Sequence, residues 1–233
     1  MKFEAIRVYQ VDLPLHEGSY CWSGGKSVEV FDSNVIEVIT DDGTAGYGEC
    51  CPLGPFYLPA YADGVRSGIR ELGPHLIGHD PLKLGPLNRL MDKAMRGQPY
   101  VKSPLDIACW DIAGQAAGLP ISELMGGCYP TPTLVASSIS TGTPQEMLAE
   151  IEGYRERGYR VHSAKVGADT VEDIERVRFL ETHRNRGEVI FYDVNRAWTR
   201  AEAVTVMNAV VDLPVTFEQQ CDCLLYRSDS ADE

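Results

Sequence analysis

Residues 133–218 carry the pattern that decides the fold: TLVASS begins at Thr133, VHSAKV at Val161, EVIFYD at Glu188 and PVTFE at Pro214. These apolar, strand-like pieces start 28, 27 and 26 residues apart. Between them, residues 144–157, 171–183 and 200–211 switch to a helical period. A strand and a helix repeating at a nearly fixed interval, with no identity between repeats, predicts βαβ units in a parallel sheet. A (β/α)8 barrel spends about 31 residues on each unit, or ~250 in all. At that rate the 101 residues from Thr133 onward supply about three and a half units.

Working back toward the N-terminus, the pattern changes. Residues 3–13 nearly alternate apolar and polar side chains, and residues 35–39 repeat this before Asp42-Gly43, a hairpin dipeptide that predicts a returning strand over 44–49. From about Ala60 to Ala117 the period is helical. Pro81, Ser103 and Pro104 are read as helix starts, and Gly97 and Gly118 as helix ends. Within that stretch Ile107, Ala108, Trp110 and Ile112 are expected to face a core. Asp106 and Asp111 are read as solvent-facing or capping residues.

The composition is that of a globular chain: 233 residues, 44% hydrophobic and 24% charged. A formal charge of −13, spread along the chain, makes nucleic acid and anionic membrane poor partners and a metal cation a better one. Seven cysteines form no CxxC pair, and most are expected to be small buried hydrophobes in a reducing cytoplasm. Neither a signal peptide nor a membrane anchor is read in the charged N-terminus.

Three polar residues fall at the C-terminal ends of successive predicted strands: Lys165, Asp193 and Glu218. That edge of a parallel sheet is where sites are built, because rigid strands present converging loops there. A single strand-terminal Asp is often only a helix cap. Two carboxylates on adjacent strands with an amine beside them suggest a hard divalent cation held by oxygens, magnesium rather than zinc, with the lysine moving a proton. Burial beside a cation is expected to lower the lysine's proton affinity and make it a base near neutral pH.

These residues also carry a family resemblance. Ala164-Lys165-Val166-Gly167, the run from Tyr192 to Thr199 and Phe217-Glu218-Gln219-Gln220-Cys221 resemble the first half of the enolase-superfamily barrel, in the mandelate racemase and muconate lactonizing enzyme branch. Residues 1–127 resemble its capping domain through Gly46-Tyr47-Gly48-Glu49, Pro52-Leu53-Gly54 and the run from Lys102 to Asp111. The resemblance implies an antiparallel sheet with helices over 1–127 and the first half of a TIM-type barrel over 128–221. It also implies magnesium and removal of an α-proton through an enolate. Lys165 matches the catalytic lysine, Asp193 and Glu218 match the first two of three metal carboxylates, and Asn195 matches the polar residue beside the first ligand.

Many relatives carry Lys-x-Lys where this chain has Ser163-Ala164-Lys165, which weighs against cycloisomerases and succinylbenzoate synthases. The 192–199 run, the Glu-Gln-x-Cys motif and the loop at 52–57 are most similar to proline-directed members, the hydroxyproline-betaine epimerases and cis-3-hydroxy-L-proline dehydratases. Sugar-acid dehydratase, dipeptide epimerase and a non-catalytic binding module are the alternatives. Tyr20, Trp22, Tyr57 and Ser163 are the expected substrate contacts. Trp22 or Tyr57 is suited to a cyclic ammonium by cation–π contact, against the alternative that these rings only pack. His16 and His162 are read as surface or supporting residues. A small carboxylate substrate, cytoplasmic location and self-association of the full-length form complete the implied picture. Residues 222–233 do not resemble the family, so the chain is expected to be truncated, with a foreign tail and no activity of its own.

Overall fold

In a computed structural model of the chain, the structure describes residues 1–16 and 18–222. It divides into two compact units. The first holds Met1–His16 and Glu29–Pro130; the second holds the segment ending at Val28 and the chain from Thr131 onward.

In the first unit, β1 (Phe3–Pro14), β4 (Val30–Thr40) and β5 (Ala45–Cys50) form an antiparallel sheet in the order β1-β4-β5. The Asp42-Gly43 turn closes β4 onto β5, with Gly43 at φ +85° where a side chain would be strained. Helices α1 (Ala62–Leu72), α2 (Leu84–Ala94) and α3 (Pro99–Ala117) accompany the sheet, followed by the single turn α4 (Ile121–Leu124). Ile36, Val38, Val65, Ile69, Leu72, Leu105 and Ile112 form the core, each contributing ~1.5–3 kcal/mol by leaving water. α3 crosses β5 closely because Gly46 and Gly48 have no side chain. A Cβ at Gly48 would overlap the Pro104 carbonyl, and one at Gly46 the Ala108 carbonyl.

Two local expectations are corrected here. α3 starts at Pro99, so Ser103 and Pro104 lie inside it. Pro99 takes the first-turn position in which a missing N–H costs nothing, while Pro104 sits a turn further on and leaves the Tyr100 carbonyl without its helical donor. Pro81 lies within a turn, Lys83 N–H donating to the Asp80 carbonyl at 3.2 Å, and α2 begins only at Leu84. Ile107 is 42% exposed, and the buried face runs through Val101, Leu105, Ala108, Cys109 and Ile112 instead. Asp111 and Asp106 are structural: Asp111 accepts the Tyr47 N–H at 2.9 Å, and Asp106 accepts from Asn88 Nδ2 at 2.8 Å.

The second unit is a parallel sheet in the order β6-β7-β8-β9: Ala136–Ile139, Val161–Lys165, Val189–Asp193 and Thr216–Glu218. Helices α5 (Pro144–Glu156), α6 (Thr170–Thr182) and α7 (Arg200–Ala209) alternate with the strands, as the period requires. Each starts on a side-chain cap worth ~1 kcal/mol. In α5, Thr143 Oγ1 accepts the Glu146 N–H at 3.3 Å while Glu146 accepts the Thr143 N–H at 2.8 Å. Thr199 and Glu202 repeat this box before α7, and Asp169 caps α6. Ile139, Ala164, Ile190 and Tyr192 point to the helices and bury with Met147, Ile151, Val177, Leu180 and Val206.

The first parallel strand begins at Ala136, three residues later than the reading from Thr133. Leu134 and Val135 are 73% and 66% exposed, so they belong to the approach and not to the sheet. A hairpin absent from the sequence reading, β2 (Tyr20–Trp22) with β3 (Lys26–Val28), groups with this unit. The cysteine expectation is also corrected. Of the six described, only Cys50 and Cys109 are buried, the others lying in loops or on the hairpin's outer face. Among the described residues no helix is long and apolar enough to cross a membrane. The tail read as foreign lies, from residue 223 onward, outside the described residues.

Candidate active site

The three strand-terminal residues form one row. Lys165 pairs in register with Asp193, and Asp193 with Glu218, so all three project from the same sheet face at its C-terminal edge. The Lys165 amine donates a hydrogen bond to Asp193 Oδ2. Asn195 closes the other side of that carboxylate, its N–H donating to Oδ1 at 2.9 Å and its Nδ2 to Oδ2 at 2.8 Å. This grip requires Asn195 at φ +49°, a left-handed conformation that Asn tolerates better than most residues. The same amide also reaches Gln219 Oε1 at 3.4 Å, tying the loop after β8 to the one after β9.

Burial pulls the Lys165 amine toward neutrality, but the bond to Asp193 and the adjacent Tyr20 hydroxyl outweigh it and hold the amine above the ordinary lysine range. The lowering expected from sequence applies beside a bound cation; here Asp193 sits directly against the amine and sets the direction. Glu218 is more exposed. Partial desolvation and then the like charge of Asp193 push its carboxyl above the usual range, with Lys165 opposing them. Two neighbouring carboxylates, one of them resisting ionisation beside the other, are an all-oxygen donor pair that a hard divalent cation would relieve. Among the described residues no group of three ligating side chains occurs.

Other residues singled out in the sequence are placed as follows. Tyr20 reaches the row from the hairpin, its hydroxyl 2.7 Å from Ser138 Oγ. Trp22 is 2% exposed and stacked on Tyr20 at 5.8 Å between ring centroids, so its ring packs the hairpin. Ser163 shares the face of Lys165 one pleat below it and is half-buried. Tyr57 belongs to the first unit, in the turn following Gly54, where its N–H donates to the Gly54 carbonyl at 3.1 Å. His16 is exposed. His162 is fully buried on the helix side of β7, its Nδ1 2.7 Å from Ser137 Oγ, with burial lowering its proton affinity; it does not join the row.

Sequence reasoning missed Asp173 and the structural part played by Gly167. Gly167, at φ +106°, lets the loop after β7 lie against Val194 and Ala197 of the next loop and Ser23 of the hairpin, where a Cβ would come within 2.8–2.9 Å of each. Ser23 Oγ donates to the Val166 carbonyl beside it. The positive φ could have been suspected from a glycine placed immediately after a strand end.

Comparison with known proteins fits this geometry. The model for the mandelate racemase/muconate lactonizing enzyme N-terminal domain matches residues 26–126, and the enolase C-terminal domain-like model matches residues 146–227. The chain belongs to the mandelate racemase/muconate lactonizing enzyme branch of the enolase superfamily. A cis-3-hydroxy-L-proline dehydratase from Roseibium aggregatum is 51% identical over 95% of this chain. A crystal structure from Silicibacter pomeroyi assigned to the same branch is 47% identical over 95% of the chain, with a TM-score of 0.88. A branch member from Roseovarius nubinhibens, crystallised with magnesium, is 34% identical over the same share, at a TM-score of 0.89. The chain spans 60% of the length of the dehydratase and 60% and 61% of the two crystallised chains. The fold expected from the resemblance is therefore the fold of the chain: the branch's antiparallel N-terminal domain followed by part of its parallel barrel.

Proposed function

We propose that this chain carries the first acid/base lysine and the first two metal carboxylates of an enzyme that dehydrates a hydroxyproline. The observation that supports this most is the in-register row of Lys165, Asp193 and Glu218 in a chain 51% identical to a cis-3-hydroxy-L-proline dehydratase. Asp193 and Glu218 are the residues that would hold magnesium. When bound, that ion supplies positive charge against the substrate carboxylate, where negative charge accumulates as the α-proton leaves.

The chain's own residues do the rest. Lys165 Nζ takes the α-proton from the substrate carbon; the freed electron pair forms the carbon–carbon double bond as the neighbouring hydroxyl leaves with a proton as water. Asp193 fixes the height of the amine and, while it accepts from Nζ, keeps the amine charged. The amine must therefore surrender that proton before it can act as the base. Asn195 holds Asp193 in one rotamer by bonding both of its oxygens. Tyr20, beside the amine and bonded to Ser138, closes the row on the β6 side and serves with Ser163 as a substrate contact. Substrate classes, oligomeric state and the further carboxylate and second acid/base group belong to the same reading.

The test completes the barrel by joining the chain to the C-terminal remainder of the Roseibium aggregatum dehydratase and supplying cis-3-hydroxy-L-proline with magnesium. Turnover is expected, with Lys165→Ala lowering it by roughly 10²–10⁴-fold. A folded fusion that consumes no 3-hydroxyproline contradicts the proposal.

A further inference from the structure

The Asp173 carboxylate is fully buried on α6 and takes up four donors, three from loops at the sheet's C-terminal edge and one from Arg176 on the same helix. Oδ2 accepts the Gly167 N–H at 2.9 Å, the Ala168 N–H at 2.8 Å and the Trp198 indole N–H at 3.0 Å. Oδ1 accepts from Arg176 at 2.8 Å, and Arg176 Nε in turn donates to the Gly142 carbonyl at 2.8 Å. Gly142 lies in the loop after β6, Gly167 and Ala168 in the loop after β7, and Trp198 in the segment after β8. Trp198 also bridges to Cys221, beyond β9. One buried charge thus gathers the loops leaving all four parallel strands.

We propose that Asp173 is a positioning residue for the row. It fixes the loop two residues beyond Lys165 and the segment three residues beyond Asn195, and so sets the spacing at which the amine meets Asp193. A role confined to the loop ahead of α6 would need only the Gly167 and Ala168 bonds; the indole and arginine bonds serve the neighbouring strands. Charge-assisted bonds to a buried carboxylate are the strong kind, and removing the charge leaves the N–H donors without an equivalent acceptor. The catalytic consequence rests on the function proposed above, whereas the coupling of the loops does not.

The experiment is amide hydrogen exchange by NMR on the 233-residue chain, wild type against Asp173→Asn, with Trp198→Phe as a milder variant that removes a single bond. Asp173→Asn is expected to speed exchange at Gly167 and Ala168, and also at Asn195, by at least about tenfold, while strand amides such as Ala164 and Tyr192 change by less than about twofold. Trp198→Phe should speed Asn195 and spare Gly167. If either variant leaves Asn195 exchange unchanged, Asp173 is only a local cap and the proposal is overturned. If Asp173→Asn fails to fold, the Asn195 result in Trp198→Phe decides. In the completed enzyme, Asp173→Asn should lower kcat by about tenfold or more with KM within about twofold. Equal loss in kcat and in folded fraction overturns the positioning role. An inactive wild-type fusion counts against the proposed function alone, since the exchange data still decide the coupling.

Discussion

Two carboxylates at opposite ends of the parallel sheet, Glu188 and Glu218, are treated in opposite ways. At the N-terminal end, Glu188 is buried and fully satisfied: Arg155 donates from Nε at 2.9 Å and Nη2 at 2.8 Å, and Asn185 adds its backbone N–H at 2.9 Å. Arg155 also donates to the His183 carbonyl at 2.9 Å, so the pair staples α5 to the end of α6. Burial acts to raise the Glu188 carboxyl, but the Arg155 and Asn185 bonds win and hold it below the usual range. At the C-terminal end, Asp193 and Glu218 stand side by side on neighbouring strands, and Glu218 is pushed the other way. At the first end the Glu188 carboxylate is matched within the fold and so contributes stability. The other leaves like charges adjacent, at some cost to stability, and that is the mark of an edge arranged to receive something.

The comparison breaks most readily at Glu188. Glu188→Ala strands the Arg155 guanidinium without its counter-ion and should cost about 3–5 kcal/mol of unfolding free energy. Urea melts of the chain check this, and a loss below about 1 kcal/mol would show that the N-terminal end is not locked as described.

The pH dependence sharpens it. Because the folded Glu188 carboxyl titrates below its unfolded value, its contribution is fully present above the ordinary carboxylate range and fades as pH falls through the lowered folded value. Wild type should therefore lose stability on acidification more steeply than Glu188→Gln. Parallel acid profiles for the two would remove the contrast.

Glu218 carries the opposite sign and the smallest effect. Its raised folded value means the folded state favours the protonated carboxyl, a contribution present at low pH and lost as pH rises through that value. Glu218→Gln should then leave the chain as stable as wild type or slightly more so at neutral pH, by no more than about 0.5 kcal/mol. Melts at pH 7 read this directly, and a clear destabilisation would mean that Glu218 is a structural partner.

What the sequence made legible follows the same division. The βαβ interval, the hairpin dipeptide at 42–43 and the polar strand ends at 165, 193 and 218 are signals carried by short stretches of the chain. The hairpin at 20–28 is not legible because its strands are three residues long and its Tyr20 finds its partner, Ser138, far along the chain. Asp173 escaped notice because an acidic residue in the first turns of a helix reads as a solvated face. Its partners Gly167 and Trp198 meet it only once the strands are laid side by side. Pro104 was misread since two prolines compete for one helix start, and only the close passage of Gly48 shows which of them lies inside.

If the C-terminal row removes a proton from carbon, the hydrogen on the substrate's α-carbon must leave it during turnover. With the barrel completed and magnesium present, cis-3-hydroxy-L-proline carrying deuterium at the α-carbon should release that deuterium to water as it is dehydrated, and Lys165→Ala should abolish the release while still binding the ion. Release that persists undiminished in Lys165→Ala would show that another group takes the proton.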